Sequence, residues 1–261
     1  MTALDQRSSA LDAYERLAAH YDLFTAAYDH RRWVTALDRL ARDHGLTGSK
    51  VLDLGCGTGR AIGPLRELGY DVTGVDVSPS MVAVARERHP DVAVEVADMR
   101  ALPSVGPFDL VLCLDDAVNY LLDEHELNAA LSSIRPVLAD GGLLVFDVNT
   151  ALAYDTAFAR DQVVSDRRRL LAWRGQGLDE TTGLARASIE IFVEQHEPGV
   201  WARERSEHLQ RHWRDAELTS AAGGAGLVVI DRVGQRTGAV LEPEPDPARH
   251  TKVVYVLRAG A

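Results

Sequence analysis

The sequence predicts an α/β fold built on a largely parallel sheet. Three observations predict it: strands and helices alternate through the middle of the chain, two strands are apolar at nearly every position, and a glycine-rich turn follows the first strand. Residues 8–44 have few breakers and apolar residues at helical spacing, and read as helical. Val51-Leu52-Asp53-Leu54 is a strand, and the stretch from Arg60 to Leu68 a helix. Asp71–Val75 is the next strand, and Pro79–Arg88 a helix with proline in its first turn. Val92–Val96, Phe108–Leu114 and Leu143–Val148 read as further strands, with a helix at Asp123–Leu138 between the last two. The runs Leu110-Val111-Leu112-Cys113-Leu114 and Leu143-Leu144-Val145-Phe146 suit strands covered on both faces.

Residues 151–215 break this rhythm. Arg169–Arg174, Ala185–Glu194 and Trp201–Trp213 read as strands separated by turn residues. In Ala187–Glu194 the odd positions are apolar and most even ones polar, the signature of a half-buried antiparallel strand. The segment is expected to form a small antiparallel cap inserted between core elements. Asp215–Ala222 resumes as a helix, Leu227–Val233 and Val253–Leu257 as strands, and the run Glu242-Pro243-Glu244-Pro245-Asp246-Pro247 between them as a loop. The expected organisation is therefore an N-terminal helical lid at 1–48, a core at 49–150 and 215–261, and the cap at 151–214.

Composition narrows the function. The chain has 261 residues, 46% of them apolar, enough for one large domain or one domain with an insertion, and disorder is not expected. No run of about 18 apolar residues exists to cross a membrane as a helix. The polar start Met1–Ala10 has no apolar stretch of the kind a secretory signal needs, so the cytoplasm is expected. Cys56 and Cys113 cannot build a disulfide framework or a cysteine metal site. A net charge of −11 disfavours a phosphate-backbone partner and leaves a neutral or cationic small molecule.

The chemistry sits in Val51-Leu52-Asp53-Leu54-Gly55-Cys56-Gly57-Thr58-Gly59. Glycines at alternate positions let the backbone turn sharply and let a ligand approach it. The dinucleotide fingerprint fails, because Arg60 and Ile62 stand where a third glycine is required, and no Lys-Ser/Thr pair grips a phosphate. A second carboxylate, Asp76, ends the next strand, where it can accept two hydrogen bonds from a ribose diol.

In these residues the sequence resembles the class I S-adenosylmethionine-dependent methyltransferases. The glycine loop is followed in order by Val75-Asp76-Val77-Ser78-Pro79-Ser80-Met81, Ala97-Asp98-Met99-Arg100, Phe108-Asp109-Leu110-Val111 and Leu138-Ala139-Asp140-Gly141-Gly142-Leu143-Leu144-Val145-Phe146. The resemblance covers residues 10–150 closely and 215–258 in outline. It implies a Rossmann-like seven-stranded sheet of order 3-2-1-4-5-7-6, its last strand antiparallel, with S-adenosylmethionine across the carboxyl ends of strands 1 to 4. It further implies that backbone groups of Gly55 and Leu114 hold the methionine end, with Asp53 assisting through water. Asp76 would bind the ribose hydroxyls and Asp98 the adenine amino group, with Met81 and Met99 against the ring. Cys56, Gly57 and Val77, in the same segments, belong to the expected cofactor contacts.

On the substrate side, Tyr14, Tyr21 and Tyr28 recur every seven residues, one stripe of a helix, and Trp33 follows. In methyltransferases that this chain resembles, N-terminal helices close over the cofactor, which makes Tyr14, Tyr21 and Trp33 the candidate lid contacts. After the fourth strand, Leu114-Asp115-Asp116-Ala117-Val118-Asn119-Tyr120-Leu121 resembles the Asp-x-x-Asn-Tyr-Leu segment of bacterial small-molecule methyltransferases, many of them natural-product N-methyltransferases. Tyr21, Asp116, Asn119 and Tyr120 are the candidates there. The strand Glu204–Trp213 is unusually polar for a cap and adds His208 and Arg211.

The expected function is N-methylation of a small-molecule amine, drawn by the Asp115-Asp116 carboxylates. The 26 arginines against 2 lysines fit GC-rich coding and secondary metabolism such as antibiotic biosynthesis. O-methylation with His208 or Tyr120 as base is the alternative. No metal is expected, since Asp147 and Asn149 are separated by one residue where the magnesium-dependent catechol type has an adjacent Asp-Asn pair. A nucleic-acid methyltransferase lacks its basic stripe and its Asn/Asp-Pro-Pro-Tyr signature here. A non-catalytic cofactor-binding partner protein is the remaining alternative, and an exposed cap strand could pair across a homodimer.

Overall fold

The computed structural model describes residues 11–197 and 199–260. Residues 11–17 form α1, which passes through a tight turn (Ala18–His20) into α2 (Tyr21–Phe24). The chain then leaves the helix and re-enters it as α3 (His30–Asp43). Side chains cause the interruption. The Thr25 hydroxyl bonds back to the Tyr21 carbonyl at 2.9 Å. Arg60 donates to the carbonyls of Thr25 (2.8 Å) and Tyr28 (3.2 Å), which would otherwise accept helical N–H groups. The Asp29 carboxylate then caps the new helix by accepting from the Arg32 N–H at 3.0 Å. The continuous helix expected at 8–44 is thus two helical stretches broken at residues 25–29, and the tyrosine stripe stops at Tyr21. Residues 8–10 of that expectation lie outside the described residues.

Five parallel strands follow: β1 (Lys50–Leu54), β2 (Asp71–Asp76), β3 (Ala93–Val96), β4 (Phe108–Cys113) and β5 (Leu138–Asn149). Between them run α4 (Ile62–Glu67), α5 (Pro79–Arg88) and α6 (Glu124–Ile134). Ser78 caps α5 by accepting from the Met81 N–H at 3.1 Å, and Asp123 caps α6 through the Glu126 N–H at 2.8 Å. The smaller sheet comprises β6 (Gln162–Ser165), β7 (Arg169–Asp179), β8 (Leu184–Glu194) and β9 (Trp201–Arg211), antiparallel in that order. It has one strand more than expected, the short edge strand β6. The chain returns as α7 (Asp215–Gly224), β10 (Leu227–Arg236), β11 (Val240–Pro243) and β12 (Lys252–Ala259).

The large sheet has the order β3-β2-β1-β4-β5-β12-β10-β11, with β12 antiparallel to both neighbours. This is the expected order with an eighth strand added at one edge. β11 takes in Glu242 and Pro243, the start of the run expected to be a loop; at a strand end on a sheet edge, the N–H that proline lacks is not needed for the ladder.

The strand periodicity builds two cores. Val51, Leu110, Leu112, Leu143 and Val145 face α3, α4 and α5, while Leu52, Leu54, Val111, Leu144 and Phe146 face α6 and α7. A third cluster joins the inner face of the small sheet (Leu171, Trp173, Ala187, Ile189, Ile191) to Leu17, with Tyr14, Tyr21 and Phe24 packed on it. Phe24 stacks on Trp173 at 5.6 Å. The N-terminal helices are therefore pinned between the small sheet and the carboxyl edge of the large one, over the mouth of the crevice where such sheets take ligands.

Candidate active site

A cleft of about 1180 Å³, its open mouth included, lies at the carboxyl ends of β1, β2 and β4 under α1 and α2. Gly55, Cys56, Gly57, Asp53, Asp76, Val77, Met81, Asp98, Met99 and Leu114 line it, with Tyr14 and Tyr21 from the helices above and Tyr120 from below. Gly55 and Gly57 have φ of 76° and 52°, the left-handed region that a side chain resists, which is why the turn needs them. That turn brings the Gly57 N–H to 2.8 Å from Asp76 Oδ2, while Asp76 Oδ1 accepts from the Ser78 N–H at 2.9 Å. A carboxylate has about four acceptor positions, so Asp76 keeps capacity for a ligand's hydroxyls. Burial raises its pKa, and the two backbone donors work against that rise.

Asp53 is 2% exposed, and its Oδ2 has no hydrogen-bond partner among the described residues. Burial, reinforced by the Asp115 and Asp76 carboxylates, pushes its pKa up to about 7. A buried carboxylate oxygen left unmatched in a cleft wall is a place for a donor or cation. At the other end Asp98 is held by Arg100 at 2.6 Å, and Arg100 also pairs with Glu126.

The helices over the cleft are latched by polar contacts that the sequence did not reveal. Glu15 accepts from the Ser78 and Ser80 hydroxyls, both at 2.6 Å, and from the Ser80 N–H at 3.0 Å. Asp22 accepts from the Thr58 hydroxyl at 2.7 Å and pairs with Arg88. His30, at the start of α3, enters the cleft with Nε2 3.3 Å from Asp115 Oδ2. Nothing in the sequence around these side chains marks them, because each depends on long-range packing. Lys252 did carry a signal: it is one of only two lysines and stands directly before the run Val253–Leu257.

Several expected site residues lie elsewhere. Trp33 is 1% exposed in the core under α3, since the break at 25–29 turns α3 away from the lid. Asn119 is buried, its amide donating to the Arg211 carbonyl (2.8 Å) and its oxygen accepting from the Asn149 N–H (3.0 Å), a staple between elements. Arg211 lies 4.1 Å over the Trp213 ring and pairs with Glu217 at 2.8 Å, away from the cleft. Asp116 does not line the cleft; Lys252 (2.8 Å) and Gln210 (2.5 Å) consume its carboxylate. The even face of β9 is the inward one, so Ser206, His208 and Gln210 are buried. His208 sits behind Tyr120, with Nδ1 2.9 Å from the Tyr120 hydroxyl. At 3% exposure, burial lowers its pKa to about 4, so it is neutral at neutral pH. Tyr14 meets Tyr21, Tyr120 and His208 edge-on at 6.2, 5.3 and 5.6 Å, closing that end of the cleft with aromatic walls.

A family described as "Methyltransferase domain" matches residues 51–142, the glycine loop through the start of β5. A protein of Geobacillus sp. (strain WCH70) named as a methyltransferase is 34% identical over 150 residues, 56% of this chain and 61% of that one, so the match spans less than two thirds of that relative. The dTDP-3-amino-3,4,6-trideoxy-alpha-D-glucopyranose N,N-dimethyltransferase of Streptomyces venezuelae is 29% identical over 216 residues, covering 80% of this chain and 89% of its own. The crystal structure of an S-adenosylmethionine-dependent methyltransferase from Clostridium acetobutylicum superposes with a TM-score of 0.78 at 23% identity, over 95% of this chain and 99% of that one. Residues 51–142 thus match a methyltransferase domain, and the fold is the one seen in S-adenosylmethionine-dependent methyltransferases.

Proposed function

We propose that the protein N-methylates a small-molecule amine, with S-adenosylmethionine seated in the cleft between the glycine loop and α1–α2. In this reading α1 and α2 serve as lid, α3 joins residues 49–150 and 215–260 in the cofactor-binding core, in place of the lid expected over 1–48, and 151–214 serve as cap. The residues fit the cofactor. Asp76 keeps acceptor capacity for a ribose diol, the orphaned Asp53 Oδ2 suits a charged amino group, and Met81 and Met99 give an apolar wall for a ring. Asp98, engaged with Arg100, borders the adenine end. When bound, the cofactor supplies a methyl group already activated on a sulfonium, so the chain mainly has to orient the acceptor and exclude water.

The observation that carries the amine reading is the ionised carboxylate of Asp115 in the cleft wall. Burial opposes its charge, but the His30 hydrogen bond and the Lys252 ammonium outweigh burial and hold its pKa below the ordinary value. Its side chain is 28% exposed, open enough to meet a ligand. Such a group draws and orients an ammonium, which then releases its proton to solvent before its lone pair can react. The hydroxyl reading needs a base. His208 is sealed behind Tyr120 with a pKa near 4, and burial pushes the Tyr120 hydroxyl well up, so neither supplies one. Nor are the Asp147 oxygens open to a magnesium ion, since Lys252 and two backbone N–H groups engage them. The Streptomyces venezuelae relative, named for an amino sugar and matched across the cap, supports an amine as well.

The test is transfer of labelled methyl from S-adenosylmethionine to paired acceptors differing only in amine against hydroxyl, nucleotide-linked amino sugars among them. The expected result is label on amines at least tenfold faster than on matched hydroxyls. Label confined to hydroxyls would overturn the proposal.

A further inference from the structure

Asp115 and Asp116 both have φ of 57°, so two consecutive non-glycine residues occupy the left-handed region. Such a pair costs free energy and persists only where its surroundings hold it. Here the holder is visible. Asp147, fully buried at the end of β5, accepts from the Asp115 N–H (2.7 Å) on Oδ1 and from the Asp116 N–H (3.0 Å) on Oδ2. The Lys252 ammonium, on the neighbouring β12, lies 2.6 Å from Asp147 Oδ2 and 2.8 Å from Asp116 Oδ1. A buried carboxylate with no counter-ion would take up a proton and lose one of its acceptor positions. Burial raises the Asp147 pKa, the lysine works against that rise, and it also pins the second aspartate of the turn.

We propose that Lys252 and Asp147 are positioning residues that clamp the Asp115-Asp116 turn in its left-handed form and so aim the Asp115 carboxylate into the cleft beside His30. The bearing on methyl transfer rests on the amine reading above, whereas the clamp itself can be tested with no ligand present. The cap takes part, since Gln210 of β9 donates to Asp116 Oδ2 at 2.5 Å. The charged groups around the turn are Asp115 and Asp116 themselves, Asp147 on β5, Lys252 on β12, Asp53 on β1 and His30 on α3.

Amide hydrogen exchange of the full chain, read by NMR, reports the clamp directly at the two N–H groups that Asp147 accepts. Lys252→Met is expected to speed exchange at Asp115 and Asp116 by about tenfold or more while β4 and β5 stay protected. Lys252→Arg, which keeps the charge, should restore most of the protection. Faster exchange in Lys252→Met with rescue by Lys252→Arg supports the clamp; unchanged exchange at both residues in a folded Lys252→Met protein overturns it. Should Lys252→Met not fold, the isosteric Asp147→Asn, which leaves one acceptor oxygen for the two N–H groups, gives the same reading with the same two outcomes. Failure of the wild-type chain to methylate amines would leave this result standing and count only against the amine reading.

Discussion

Replacing Asp76 with asparagine is expected to weaken binding of S-adenosylmethionine by about 100-fold. The carboxylate does two things at once: it accepts the Gly57 and Ser78 N–H groups that shape the turn, and it keeps acceptor capacity for a sugar diol. Asparagine keeps the shape but replaces one oxygen with an amide NH₂, which meets a backbone donor head-on and cannot accept from a hydroxyl. Charge-assisted hydrogen bonds contribute about 1.5–3 kcal/mol each, so a loss of about 3 kcal/mol follows, or about 100-fold in affinity. The loss should be equal for S-adenosylmethionine and S-adenosylhomocysteine, because both carry the same ribose and differ only at sulfur. Isothermal calorimetry on the variant decides it, with a melting curve to show that the sheet is intact. Affinity within threefold of wild type would remove Asp76 from the site.

The second large effect belongs to Asp115→Asn. Asparagine tolerates the left-handed region at least as well as aspartate and keeps the backbone N–H that Asp147 accepts, so the exchange removes charge and little else. Two charges about 4 Å apart at a protein surface interact by up to about 4 kcal/mol. Partial exposure of Asp115 screens this to about 2 kcal/mol. The expected outcome is a rise of about 30-fold in KM for an amine acceptor, with kcat little changed and the S-adenosylmethionine dissociation constant within about threefold of wild type. An unchanged KM would deny the carboxylate its role toward the acceptor. A parallel loss of cofactor affinity would assign it to the cofactor's own ammonium.

Much of the fold was legible because it rests on local periodicity. The apolar runs of β4 and β5, the alternation in β8 and the proline-led start of α5 are each set by residues a few positions apart. The edge strand β11 was missed because its proline and its glutamate are tolerated on a sheet edge, where pairing with β10 decides. The break before α3 was missed because it is made by Arg60, far along the chain, taking two carbonyls out of the helix. The glycine-loop wall of the cleft could be read because Asp53, Gly55, Gly57 and Asp76 lie in two short segments at adjacent strand ends. The opposite wall could not. Trp33 and Arg211 stand in suggestive positions in the sequence, yet packing directs both away from the cleft. His30, brought to Asp115 from far along the chain, carries no local motif, and the rarity of Lys252 does not say which carboxylates it meets.

The most direct test of the account is calorimetric titration of the purified wild-type chain with S-adenosylmethionine and with S-adenosylhomocysteine. The account requires that each binds at a single site and that either one, once bound, excludes the other. Absence of binding by both compounds to folded protein would contradict it.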